Sequence, residues 1–159
     1  MASDWTERRL QNLIATRFLK TGSLCVPNCG VWGWESDLVR VSPSYLASEY
    51  EIKVTRKDFH RDSEKLERVA ALSNPEGRKR VEGLTPSRFW YATPRDMVKP
   101  EEVPAYAGLI QPSKSGRRLD IIVPAPLLHR NKLDAARLLF LTRGVAFRYW
   151  DQRRAEAIR

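Results

Sequence analysis

The chain is expected to fold as a mixed α/β structure of three layers, with helices covering both faces of a central sheet. Three observations predict this. Segments near both ends space their apolar residues as amphipathic helices do, while the middle holds short stretches with the period-two alternation of strands. The elements follow one another as helix, strands, helix, strand and hairpin, an order that layered α/β structures share. At 159 residues the chain is one ordinary domain, long enough to bury a real core.

Residues 4–20 place Leu10, Leu13, Ile14 and Phe18 on one helical stripe. Asp4 is the expected N-cap, with Glu7 completing a capping box. At about 100° per residue, Glu7 also lies within roughly 20° of Ile14 and Phe18. It therefore projects from the buried stripe towards whatever sheet the helix covers. Thr21-Gly22 closes the helix. Pro27, Asn28 and Gly30 favour a loop, and a short strand is expected at 31–34. Trp32 and Trp34 would share one face of it, as core aromatics rather than exposed stacking platforms.

Residues 35–53 read ESDLVRVSPSYLASEYEIK and hold two extended segments around a turn at Ser42, Pro43 and Ser44. Asp37, Val39 and Val41 share one face of the first. Glu49, Glu51 and Lys53 share one face of the second, with Tyr50, Ile52 and Val54 opposite. Paired as a hairpin, the segments bring Asp37 beside Glu51 and Lys53. Two carboxylates and an ammonium on one patch are what a hard divalent cation and a metal-activated water require. The same alternation also describes the wet face of a half-covered sheet.

A second helix follows, capped by Thr55, with Phe59, Leu66, Val69 and Leu72 on its apolar side. Arg56, Lys57, Arg61, Lys65 and Arg68 make its other side basic, suited to a substrate backbone or simply to solvent. Residues 73–87 form a loop in which Arg78, Lys79 and Arg80 are candidate phosphate contacts. Residues 88–93, apolar on both faces, read as a central strand that Pro94 stops. A short helix begins near Pro100. Residues 108–111 and 119–123 form a further hairpin. Residues 132–159 form a last helix that Gly144 could bend. From Arg130 onward eight basic residues stand against three acidic ones, more than half of the net charge. That helix suits a second nucleic-acid surface or a dimer contact.

The formal net charge is +9 and the sequence pI ≈ 9.9, which draws a small domain to a polyanion, most simply nucleic acid. No stretch is apolar for long enough to span a bilayer and the start, MASDWTERR, is polar at once, so a cytoplasmic protein is expected. Cys25 and Cys29 lack two further ligands for zinc and read as reduced thiols.

Asp37 followed by Glu51-Ile52-Lys53 resembles the PD-(D/E)XK nuclease superfamily. The longer string EYEIKVTRKDFHRD (residues 49–62), then FWYATP, PEEVP and GLI, resembles a narrower group of small phage-encoded or bacterial nuclease-like proteins of DNA repair or resolvase type. The similarity runs from the first helix to about residue 126, with the basic segment 130–159 beyond it. Ser36 stands where the superfamily has proline before the aspartate. The resemblance implies a restriction-endonuclease-like core with a mixed sheet and the site at one of its ends. It implies a Mg²⁺-dependent endonuclease acting on DNA, with Mn²⁺ substituting. Asp37, Glu51 and the Ile52 carbonyl would hold the metal, Lys53 would orient water or offset charge, and Glu7 would be an auxiliary acid. A homodimer is compatible with such a function. Two other expectations stand beside it: a non-cleaving nucleic-acid-binding module of the same fold, and a phage protein that binds a host or defence protein.

Overall fold

The computed structural model describes residues 4–74 and 85–158. Among them six strands form one mixed sheet, ordered β1 to β6 as in the chain. The elements are α1 (Glu7–Leu19), β1 (Leu24–Cys29), β2 (Ser36–Val41), β3 (Ala47–Ile52), α2 (Arg56–Arg61), α3 (Leu66–Ser73), β4 (Arg88–Ala92), β5 (Ala107–Pro112), β6 (Leu119–Val123) and α4 (Ala135–Ala157). One 3₁₀ turn (Asp62–Glu64) separates α2 from α3, and another (Pro100–Glu102) precedes β5. The first three strands and the last pair are antiparallel, whereas β3, β4 and β5 run parallel. Burial follows from this pairing: every residue of β3 and of β5 is buried, as parallel strands covered on both faces require.

Helices cover both faces, so the α/β three-layer plan holds, with α4 as the C-terminal helix. Leu10 and Ile14 of α1 pack on Leu38, Tyr50, Ile52, Ala92 and Ile110. The other face carries Phe89, Tyr91 and Leu109 against Phe59 of α2 and Leu72 of α3. Towards the β1 edge, Val26, Val39 and Val41 pack with Leu133 and Leu141, which anchors α4.

Several local expectations are corrected. Thr6, not Asp4, caps α1, its Oγ1 accepting from the Arg9 amide at 3.2 Å. Glu7 is thus the first helical residue and its carboxylate is free of capping duty. Residues 24–29 form a strand although they contain Pro27 and Asn28. Because β1 is an edge strand, a missing N–H costs it no ladder partner. Residues 31–34 are turn and bend, not strand, and Trp32 is buried there as core. The second helix breaks into α2 and α3 at Asp62, and α4 passes through Gly144 without interruption.

Candidate functional site

The β2–β3 register sets the site. Leu38 lies opposite Tyr50 and Val39 opposite Glu49, so Asp37, one residue further out, arrives beside Glu51. Asp37 Oδ2 accepts from the Ile52 amide at 2.6 Å, locking the carboxyl against the end of β3. Burial, the Glu51 charge and more weakly Glu7 push the Asp37 carboxyl up to about 6, against the pull of that amide and of Lys53. Asp37 therefore senses both other acidic positions expected at the site. Glu7 itself is exposed, at the N-terminal turn of α1.

Glu51 is 1% exposed and surrounded by cations. Lys53 Nζ lies 2.5 Å and Lys65 Nζ 3.0 Å from its Oε1, and Arg68 Nη1 lies 2.8 Å from its Oε2. Behind it sits Asp62, also 1% exposed, which meets Lys53 at 3.3 Å, Lys65 at 3.1 Å, the Arg68 guanidinium and the Tyr91 hydroxyl at 2.7 Å. Burial alone would raise the Asp62 carboxyl. Arg68, Lys53 and the Tyr91 hydroxyl overcome that and hold it well below the usual range. One hydrogen-bonded and ionic block thus ties the end of β3, the α2–α3 break, α3 and β4 together.

Sequence reading left three of its members out of the site, placing Lys65 and Arg68 only on the basic side of a helix. Lys65 and Arg68 come to the site only because the 3₁₀ turn interrupts the helix and redirects α3. Asp62 stood in the quoted string, but the resemblance assigned it no role. Gln11 was missed as well. Its amide nitrogen lies within hydrogen-bonding distance of Glu7 Oε1 (3.2 Å), Asn28 Oδ1 (2.9 Å) and the Asp37 carbonyl (2.9 Å), so it joins α1 and β1 to the acidic end of β2. Glu49, on the same face as Glu51, turns inward instead. It accepts from Trp34 Nε1 at 3.0 and 3.2 Å, and burial pushes it up to about 8.

The basic residues expected to touch a nucleic acid divide. Arg56 binds Glu102 at 2.5 Å and Arg61 pairs with Asp58, so both are committed within the fold's surface. Lys57 is exposed. Arg78, Lys79 and Arg80 lie outside the described residues. Cys25 and Cys29 are free thiols, and burial with the nearby Glu49 charge pushes Cys29 up to about 11. No helix among the described residues is long and apolar enough to cross a membrane.

Among the described residues no three acidic, histidine or cysteine side chains are gathered into a ready cation cage. A Mg²⁺ ion needs less: one or two carboxylates, with water and substrate oxygens filling its remaining positions. Asp37 and Glu51 meet that requirement in kind. Asp37 lies beside Glu51 with its Oδ2 on the Ile52 amide, and the buried Oε2 of Glu51 rests on ionic contact with Arg68 without a hydrogen bond.

Fold and site together define an α/β protein with an acidic–lysine cluster at the carboxyl end of a central strand. No family model and no curated protein matches the chain. Among solved structures it is similar to the SPO1766 protein of unknown function from Silicibacter pomeroyi, with a TM-score of 0.60 and 23% identity over 98% of this chain and 93% of that one. That likeness bears on the fold.

Proposed function

We propose that the chain is a Mg²⁺-dependent nuclease hydrolysing phosphodiester bonds of DNA. The observation that supports this best is the convergence of Asp37, Glu51 and Lys53 at the end of β3, on a protein whose net charge is +9. The resemblance to PD-(D/E)XK nucleases matches these same three positions. Asp37 and Glu51, with the Ile52 carbonyl, would hold an ion that would lower the pKa of bound water and offset charge on the phosphate.

The remaining work falls to the chain. Lys53 stands at 2.5 Å from Glu51, where its ammonium can orient the attacking water or stabilise developing negative charge. Asp62 holds Lys53 from behind, and Arg68 fixes both Glu51 and Asp62. Gln11 keeps Glu7 facing the cluster as an auxiliary acid.

One observation favours a second reading. Glu51 already meets Lys53, Lys65 and Arg68, which suits a charge-compensated remnant in a module that binds nucleic acid without cutting it. Labelled linear duplex, single-stranded and four-way-junction DNA, incubated with protein in Mg²⁺ or Mn²⁺, separates the two. Cleavage that EDTA abolishes and Lys53→Ala lowers by about 10² or more is expected for the enzyme. Tight binding with no cleavage, equal in wild type and variant, would sink the enzyme and leave the module.

A further inference from the structure

The outer face of α4 bears side chains that the fold does not bury. Phe140, Phe147 and Trp150 are 54, 65 and 57% exposed, although aromatic rings of this size are normally the first to be covered. They recur with Arg143 and Arg154 at spacings of three and four residues, which places all five on one side of a helix. Rings and guanidiniums therefore share one stripe. Phe140, Arg143, Gly144 and Phe147 also form one wall of a groove of about 440 Å³, whose other wall is the end of β1 around Asn28 and Gly30. Nothing lies within 4 Å of where a Gly144 side chain would begin, so the groove is open at its middle.

Charge selects the occupant. Arg148 spends its guanidinium on two neutral acceptors, the carbonyls of Pro27 and Asn28, both at 2.5 Å, and so keeps its positive charge at the groove's end. Arg153 lies over the Tyr149 and Trp150 rings at 5.9 and 5.8 Å. Among the described residues Arg143, Arg148 and Arg153 have no carboxylate partner, unlike Arg137 and Arg154. A second copy of this helix would bring like charges together. A purely apolar partner would bury guanidiniums without compensation. Unpaired nucleotides satisfy both features, since bases stack on rings and phosphates meet arginines.

We infer that this α4 groove, with the aromatic stripe that continues from it, is a binding track for single-stranded nucleic acid, seating unpaired bases on Phe140 and Phe147 in the groove and on Trp150 beyond it, with arginines meeting the phosphates. The inference deepens the nuclease reading, on which it rests for its ligand class, by assigning an unpaired segment to the substrate. The groove is also joined to the site. Asn28, whose carbonyl receives Arg148, presents its side-chain oxygen to Gln11, which bonds Glu7 and the Asp37 carbonyl.

The test is fluorescence anisotropy with labelled oligo-dT, oligo-rU and a blunt duplex, in EDTA so that nothing is cut. Phe147→Ala and Arg143→Ala alter exposed side chains, and Gly144→Met starts from a Cβ with nothing within 4 Å and extends into the open groove, so folding is little challenged; circular dichroism checks it. Each variant is expected to weaken single-strand binding by about tenfold, with a smaller effect on duplex. Arg143→Ala should also lower the salt slope by about one. Unchanged single-strand affinity in all three variants overturns the inference, as does an absence of single-strand binding by wild type. So does light scattering that finds a dimer which Phe147→Ala dissociates, for the face would then be a self-association surface. Lys53→Ala run alongside keeps the two readings apart: loss of cleavage with intact binding tests the site, and loss of binding in the α4 variants tests the track.

Discussion

Asp37 is held by opposing demands: the Ile52 amide favours its charged form, whereas burial and the neighbouring carboxylates disfavour it, and the second set wins. A carboxyl raised from 3.8 to about 6 makes the folded state the better proton binder. Its contribution to stability is full below the unfolded value and is lost as pH rises through about 6. In EDTA, Asp37→Asn should therefore match wild type near pH 4 and exceed it at pH 8, by up to about 3 kcal/mol. Thermal melts across pH measure this. Mg²⁺ added at pH 8 should raise the melting temperature of wild type and leave the Asn variant where it was. An Asn variant that loses stability equally at both pH values would show that the carboxyl's role is the Ile52 hydrogen bond alone.

The elements show what a sequence displays and what it hides. The β2–β3 hairpin was legible because its signal is local: Asp37, Val39 and Val41 alternate, as do Glu49 and Glu51, and period two fixes which residues share a face. β4 was legible from a run that is apolar on both faces, and β5 and β6 from the hairpin turn between them. β1 was not, because Pro27 and Asn28 forbid a central strand and only the sheet order reveals that β1 is an edge. The place of Lys65 and Arg68 in the site was hidden because apolar spacing through Phe59, Leu66 and Leu72 fits one helix as well as two, and Asp62, where the break begins, meets its partner Tyr91 only across the fold. Gly108 is another case in which the reason lies in tertiary contact. A Cβ there would stand 2.5 Å from the Trp90 ring and 2.6 Å from the Ala125 backbone nitrogen, and backbone cannot swing aside. Gly108→Ala should cost about 1–3 kcal/mol or more in urea unfolding despite alanine's better strand entropy. A neutral outcome would mean that the 125 segment does not press on β5.

Across the whole molecule, stability and recognition are unevenly placed. The parallel centre of the sheet is covered on both faces, and the ionic block of Glu51, Asp62 and Arg68 is buried within it. α4 differs: its 23 residues include one that is fully buried, Leu141, in the first third. Beyond that point the helix is tied to the sheet through Arg148, whose two hydrogen bonds reach Pro27 and Asn28 at the end of β1. A helix end so attached belongs to the low-stability part of a fold, where opening costs much less than global unfolding. Arg148→Ala should therefore speed hydrogen exchange in residues 145–157 by about tenfold or more, while amides of β2, β3 and β4 keep their protection. The melting temperature of the sheet should hardly move. Because Asn28 also bonds Gln11, and Gln11 the Asp37 carbonyl, the same variant should loosen the first turns of α1 slightly. Uniformly faster exchange through the sheet would instead make Arg148 a support of the whole fold, and uniform protection would make Leu141 and Leu138 sufficient anchors for α4.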